Sequence, residues 1–199
     1  MPTGSRKVLG GSFVKRCEMH AAATSTTGGM GVTHAFTACY REHWTNVYRQ
    51  SLRFGGGDTQ WAEDLAHDVF VKLLEQFTRL EAHDDLGGWL YRVTANLALS
   101  RLRRERSWVG RIRGAWRVLQ EGTAPSPEVV VVSRERAAEA LRALRGLPPN
   151  ERVVICMKLL DQLPQREIAA TLGLSEGYVS KLIRRGLDTL RSEGWEVDR

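Results

Sequence analysis

The feature that most restricts this chain is the spacing of its apolar side chains. They recur at intervals of three and four between glycine and proline breaks, with no alternating stretch of any length. That period is helical, so an all-α architecture is predicted. Across residues 34–54 it is carried by Phe36, Tyr40, Trp44, Val47, Tyr48 and Leu52, and it stops at Gly55, Gly56 and Gly57. A second helix, capped by Asp58 or Thr59, has Ala62, Leu65, Ala66, Val69, Phe70, Leu73, Leu74 and Phe77 as its buried stripe. Its polar side carries Glu63, Asp64, Asp68 and Glu75 and is therefore acidic. Residues 78–85 read as a loop. A third helix, from about residue 86 to 106, turns Leu86, Leu90, Val93 and Leu97 inward. Its other stripe is Trp89, Arg92, Asn96, Ser100 and Arg103, followed by a basic tail that includes Arg104.

Two stretches lack this order. Residues 1–32, rich in Gly, Ser, Thr and Ala, are expected to form a disordered arm, and residues 108–133, which include Pro125 and Pro127, a flexible linker in which Trp108, Ile112 and Trp116, four apart, suggest a short helix. The chain thus divides into two small helical lobes, residues 33–107 and 134–199. In the second, Ala137, Leu141 and Leu144 continue the helical period until Gly146, Pro148 and Pro149 break it. Asn150 begins the next helix, with Val153, Val154, Met157, Leu160 and Leu163 as its apolar residues.

Residues 164–185 carry the strongest local signal. Ile168, Ala169 and Leu172 pack one short helix, Gly173 supplies a tight turn, Leu174 plugs the corner, and Ser175 caps the helix that follows. This is helix-turn-helix spacing. Val179, Leu182, Ile183, Leu187 and Leu190 bury the second helix, which leaves Glu176, Tyr178, Ser180, Lys181, Arg184 and Arg185 facing outward beside Ser175. A recognition helix presents such residues to base edges and phosphates in the major groove. Ser180 and Lys181 are the better placed for bases, and Arg184 for phosphate.

Charge agrees with a polyanionic partner. The net charge is +6, and it is not spread evenly. Residues 86–117 hold eight arginines against Glu105 alone, whereas residues 34–85 hold nine acidic side chains against five basic ones. Cys17, Cys39 and Cys156 are too far apart for a metal knuckle and too few for a disulfide framework, which fits a reducing cytoplasm. No apolar run is long enough to span a bilayer, and no apolar segment of a signal peptide follows Arg6 and Lys7. The five histidines show no paired-ligand spacing, so no metal, cofactor or catalytic residue is expected.

Three stretches together resemble the extracytoplasmic-function (ECF) group of bacterial sigma-70-family sigma factors, the promoter-reading subunits of RNA polymerase. They are residues 62–73 (AEDLAHDVFVKL), residues 89–99 (WLYRVTANLAL), and the run from residues 147–152 (LPPNER) through the helix-turn-helix. The resemblance implies that the second helix docks on core RNA polymerase through Glu63, Asp64 and Asp68, an acidic face that would repel DNA. It implies that Trp89, Arg92, Asn96, Ser100, Arg103 and Arg104 open and read the −10 element of promoter DNA. Unstacked bases need such stacking and hydrogen-bonding partners. The loop bearing Arg79, His83 and Asp84 would correspond to a pocket for a flipped −10 base. The helix-turn-helix residues Ser175, Glu176, Tyr178, Ser180, Lys181, Arg184 and Arg185 would read the −35 element. An anti-sigma partner covering these faces is also implied. Ser100 and Tyr178 depart from the family's usual Asp and Thr, which bears on promoter preference. The alternative is a free-standing helix-turn-helix regulator that dimerises through its first lobe. A linker of this length spans about 25–30 Å when relaxed and about 90 Å when stretched, so the lobes of the free chain are expected to pack together until polymerase holds them apart.

Overall fold

The computed structural model describes residues 30–80, 85–112 and 131–195. Among these residues the structure is entirely helical. Helix α1 is Met30–Phe54, α2 Thr59–Leu80 and α3 Leu86–Ile112. The second lobe contains α4 (Val131–Gly146), α5 (Pro149–Ile155) running into a π-helical turn (Cys156–Leu160), α6 (Gln165–Leu172) and α7 (Glu176–Ser192).

Several boundaries differ from the sequence expectation. Helix α1 starts at Met30, inside the stretch read as an arm, and α2 continues through Thr78–Arg79–Leu80 where a loop was expected. Leu80 is buried in the first lobe's core, which supports that last turn. Helix α3 extends to Ile112 and α4 begins at Val131, both inside the expected linker. Arginine is a good helix former, and between Arg101 and Ile112 only Gly110 interrupts, at a cost of about 1 kcal/mol. The remaining arm residues 1–29 and linker residues 113–130, with His83 and Asp84, lie outside the described residues.

The turn after α1 shows why Gly56 and Gly57 are used. Gly56 and Gly57 have φ of 66° and 87°, in the left-handed region that suits glycine. A Cβ on Gly56 would also lie 2.7 Å from the Cβ of Arg145, so the glycine is the seat on which α4 rests. Asp58 then serves both lobes. Its Oδ1 accepts from the Trp61 backbone N–H at 3.0 Å, which caps α2, and its Oδ2 accepts from Arg145 at 2.8 Å.

Helices α1, α2 and α3 enclose a core of Cys39, Val47, Ala66, Val69, Phe70, Leu73, Phe77, Leu80 and Leu90, flanked by the ring series Phe36, Tyr40 and Trp44. The expected buried stripe of α2 holds except at Leu74, which is 55% exposed. Leu74 lies at the edge of the stripe, beyond the width that the neighbouring helices cover, beside the equally exposed Val71.

The two lobes form one body. Phe54, Trp61, Leu65, Ala95, Ala98, Leu99 and Leu102 share a single buried cluster with Leu144, Leu147, Val153, Ile155, Ile168 and Val179 of the second lobe. Helix α3 therefore buries two faces, one toward α1 and α2 and one toward α5 and α6. Close packing continues inside the second lobe, where a Cβ on Gly186 of α7 would meet Ile155 Cγ1 at 2.6 Å.

Candidate nucleic-acid interface

The helix-turn-helix forms as its residues require. Gly173 has φ 63° and ends α6, and the Leu174 N–H closes the corner on the Ala169 carbonyl at 2.9 Å. The Ser175 hydroxyl accepts from the Tyr178 N–H at 3.3 Å and caps α7. That hydroxyl is therefore committed to the fold. Glu176, Tyr178, Ser180, Lys181, Arg184 and Arg185 are all exposed, and Gly177, Ser180, Lys181 and Arg184 line one shallow depression. Tyr178 leans toward the seam between lobes, where its hydroxyl accepts from Asn150 Nδ2 at 3.3 Å.

On α3, Arg92, Asn96, Ser100, Arg103 and Arg104 are exposed. Trp89 is not part of that surface in the same way, because it is half-buried against the first lobe's core. An aromatic ring at a helix start has more apolar area to lose than the neighbouring polar groups. Two of the exposed residues touch the second lobe. Asn96 Nδ2 donates to the Arg92 carbonyl at 2.9 Å and to the Thr171 carbonyl of α6 at 3.0 Å, and Arg103 Nε donates to Asn150 Oδ1 at 2.9 Å. Arg103, Arg106 and Arg185 line an open cleft along this seam with Pro148, Pro149 and Tyr178.

The acidic face of α2 is partly answered from within. Arg101 pairs with Asp64 at 3.1 Å, Asp68 at 3.9 Å and Glu105 at 3.4 Å, and its guanidinium lies 5.3 Å from the centre of the Trp61 ring. Trp61 Nε1 donates to Glu105 at 2.8 Å. One member of the basic block is thereby spent on the acidic helix. Glu63 is exposed on the same helix, and Arg79 is exposed in its last turn.

A largely shielded carboxylate at the seam has no signal in the sequence. Asp161, which follows the π-helical turn, accepts from Arg53 of α1 at 2.8 Å and from the Tyr91 hydroxyl of α3 at 2.6 Å. Gln50 Nε2 donates to the Tyr91 carbonyl at 3.2 Å, and the Cys156 thiol donates to the Arg53 carbonyl at 3.6 Å. No local period links these positions. Burial raises the Asp161 pKa, with the Tyr91 hydrogen bond and Arg53 opposing the shift, and burial together with the Asp161 charge raises that of Tyr91. Burial pushes the Cys156 thiol up to about 12.

A pH dependence follows from these directions. A thiol ionises more readily in the unfolded chain than in this fold, so stability is complete below the ordinary value of 9.0 and falls as pH rises toward about 12. Each proton released only on unfolding contributes about 1.4 kcal/mol per pH unit. Tyr91 adds in the same direction above its ordinary 10.0. Urea unfolding between pH 8 and 10 is expected to show falling stability, with a flatter profile for Cys156→Val.

The fold and these exposed surfaces define an all-α helix-turn-helix protein with separate basic and acidic faces. Residues 39–108 match Sigma-70 region 2, and residues 143–192 match Sigma-70, region 4. The ECF RNA polymerase sigma factor SigE of Mycolicibacterium smegmatis is 31% identical over 176 residues, covering 85% of this chain and 65% of that protein. The ECF RNA polymerase sigma factor SigW of Bacillus subtilis is 28% identical, covering 69% of this chain and 77% of that protein. The solved sigma factor RpoE of Bartonella quintana, in complex with the anti-sigma factor NepR, shares the fold at a TM-score of 0.59 and 19% identity, covering 82% of this chain and 98% of that one. The chain belongs to the ECF group of sigma-70-family RNA polymerase sigma factors. Members of this family are regulatory DNA-binding proteins rather than catalysts. Among the described residues no helix is long and apolar enough to cross a membrane.

Proposed function

We infer that this chain is a cytoplasmic specificity subunit that confers promoter recognition and strand opening on core RNA polymerase, with no bond chemistry of its own. The observation that carries this reading is the presence, in one chain and in this order, of matches to sigma region 2 and region 4. Residues 33–107 dock polymerase through Glu63, Asp64 and Asp68 and engage the −10 element. There Asn96 reads a base edge, and Arg92, Arg103 and Arg104 grip phosphate or stack. Residues 134–199 read the −35 element through α7, with Ser180 and Lys181 at bases and Arg184 and Arg185 on phosphates. Residues 108–133 join the two. The exposed Arg92, Ser100 and Arg104 of α3 and the exposed, capped start of α7 support these roles. An anti-sigma protein is the expected regulatory partner, since the solved relative is bound to one.

Run-off transcription with core polymerase tests the reading. Promoter-specific transcripts are expected only when chain and core enzyme are both present. Tight sequence-specific DNA binding by the isolated chain, with no affinity for core enzyme, would instead identify a free-standing regulator.

A further inference from the structure

We propose that Arg53, Asp161 and Tyr91 form a latch that holds the free chain in a closed form, and that this closed form engages Asn96 and Arg103 of the −10-facing stripe of α3. The masking half rests on the function proposed above; the latch itself does not.

The three residues come from both lobes, Arg53 from the end of α1, Tyr91 from α3 and Asp161 from the turn after α5. The Asp161 side chain is only 10% exposed, and its two oxygens are divided between the two partners, Oδ1 to Arg53 and Oδ2 to the Tyr91 hydroxyl. Its position depends on unusual backbone. A π-helical turn delivers it, and the next residue, Gln162, has φ 55°, a left-handed conformation that costs a non-glycine residue about 1 kcal/mol or more. Strain of this kind persists where the surroundings over-determine it, and here it serves to aim one carboxylate at the other lobe.

An ion pair that is partly withdrawn from water, with Arg53 33% and Asp161 10% exposed, suits a reversible latch. Removing both charges from water offsets most of their attraction, so the pair specifies one arrangement without making it irreversible. Separation of the lobes returns both groups to water. An apolar contact has no such compensation, and Ala95, Ala98, Leu99 and Leu102 would need new cover on opening, which a protein partner of α3 would supply.

The same closure occupies DNA-facing atoms. Asn96 Nδ2 is bonded to the Thr171 carbonyl and Arg103 Nε to Asn150, so neither donor is available to a base or phosphate while α6 and α5 sit there. Lobe separation therefore frees both donors for −10 engagement. The chain between Ile112 and Val131 has a contour of about 65 Å, enough to let the lobes part without breaking either one.

The test uses the full chain as Asp161→Asn and as Tyr91→Phe, with Asp188→Asn on the outer face of α7 as control. Small-angle scattering without DNA is expected to show a larger radius of gyration in both latch variants and none in the control. Binding of a fluorescent random-sequence single-stranded oligonucleotide is expected to tighten about tenfold in both, as when a binding-competent state populated at about a tenth becomes dominant. Tyr91→Phe removes one hydroxyl and keeps the ring, so it decides the matter if Asp161→Asn loses its helical circular dichroism. Unchanged dimensions in a folded Tyr91→Phe protein would overturn the latch, and increased dimensions with unchanged oligonucleotide affinity would overturn the masking. Run-off transcription by the wild-type chain with core polymerase separates the two levels. Its failure would remove the sigma-factor reading, while the scattering result would still judge the latch.

Discussion

Joint replacement of Asp64 and Asp68 by lysine is expected to reduce promoter-specific run-off transcription at least about a hundredfold, while far-UV circular dichroism stays helical. Truncating one partner of an interfacial charge pair costs about 2–5 kcal/mol, and a reversal adds repulsion, so the loss of two pairs exceeds the roughly 3 kcal/mol that a hundredfold effect requires. The two side chains are 47% and 63% exposed, which leaves them accessible to a protein partner despite their contact with Arg101. The competing explanation is loss of the Arg101 pairs. Exposed pairs of that kind contribute at most about 1 kcal/mol, and Arg101→Gln removes the same pairs while keeping both carboxylates. Transcription by Arg101→Gln is expected to stay within severalfold of wild type. A comparable collapse in that variant, or a loss below about tenfold in the double reversal, would place polymerase docking elsewhere.

The second large effect concerns the seam. Phe54→Ala is expected to destabilise the chain by about 3–5 kcal/mol, the range for emptying a filled aromatic site. Phe54 is 1% exposed and shares one buried cluster with Trp61, Leu65 and the apolar residues of α5 to α7. Its loss therefore weakens both lobes and the contact between them. In urea the unfolding midpoint should fall by about 2 M for a slope near 2 kcal/mol per molar. Leu74→Ala is the comparison. Leu74 belongs to the same kind of apolar stripe on paper but stands at the surface, and its truncation is expected to stay within about 0.5 kcal/mol. Equal effects for the two variants would contradict the core described here.

Much of the architecture was legible because its causes are local. Gly173 and Ser175 are read correctly from sequence since a turn glycine and a capping hydroxyl act on backbone groups within a few residues. The inward set of α2 follows from a period of 3.6, which needs no knowledge of the partner. Leu74 was misplaced for the same reason, because periodicity gives the direction of a stripe and not the width that neighbouring helices will cover. Beyond Arg106 the spacing of Trp108, Ile112 and Trp116 signals a separate short helix, and Gly110 hides that residues 107–112 continue α3 without a break. The second apolar face of α3 was within reach. Ala95, Ala98, Leu99 and Leu102 have spacings of three and four, but alanines carry a weak signal beside Leu90, Val93 and Leu97.

For the interface the division is sharper. Exposure of Arg92, Asn96, Ser100 and Arg103 on one side of α3, and of Ser180, Lys181 and Arg184 on α7, could be anticipated from helical geometry. The contacts of Asn96 with Thr171 and of Arg103 with Asn150 could not, because they depend on which surface of the second lobe meets α3.

By itself, the sequence determined that this chain is helical, that it carries a helix-turn-helix, and that its acidic and basic charges lie on different helices. Each of these is set by interactions over one or two turns. Only the tertiary structure decided that the lobes share a core, that Arg101 answers the acidic helix, and that Asp161 meets Tyr91 across 70 residues of chain. Such meetings depend on how whole helices dock, and the physical reason they escape the sequence is that burial in a shared seam, unlike a helical period, is not a property of any one segment.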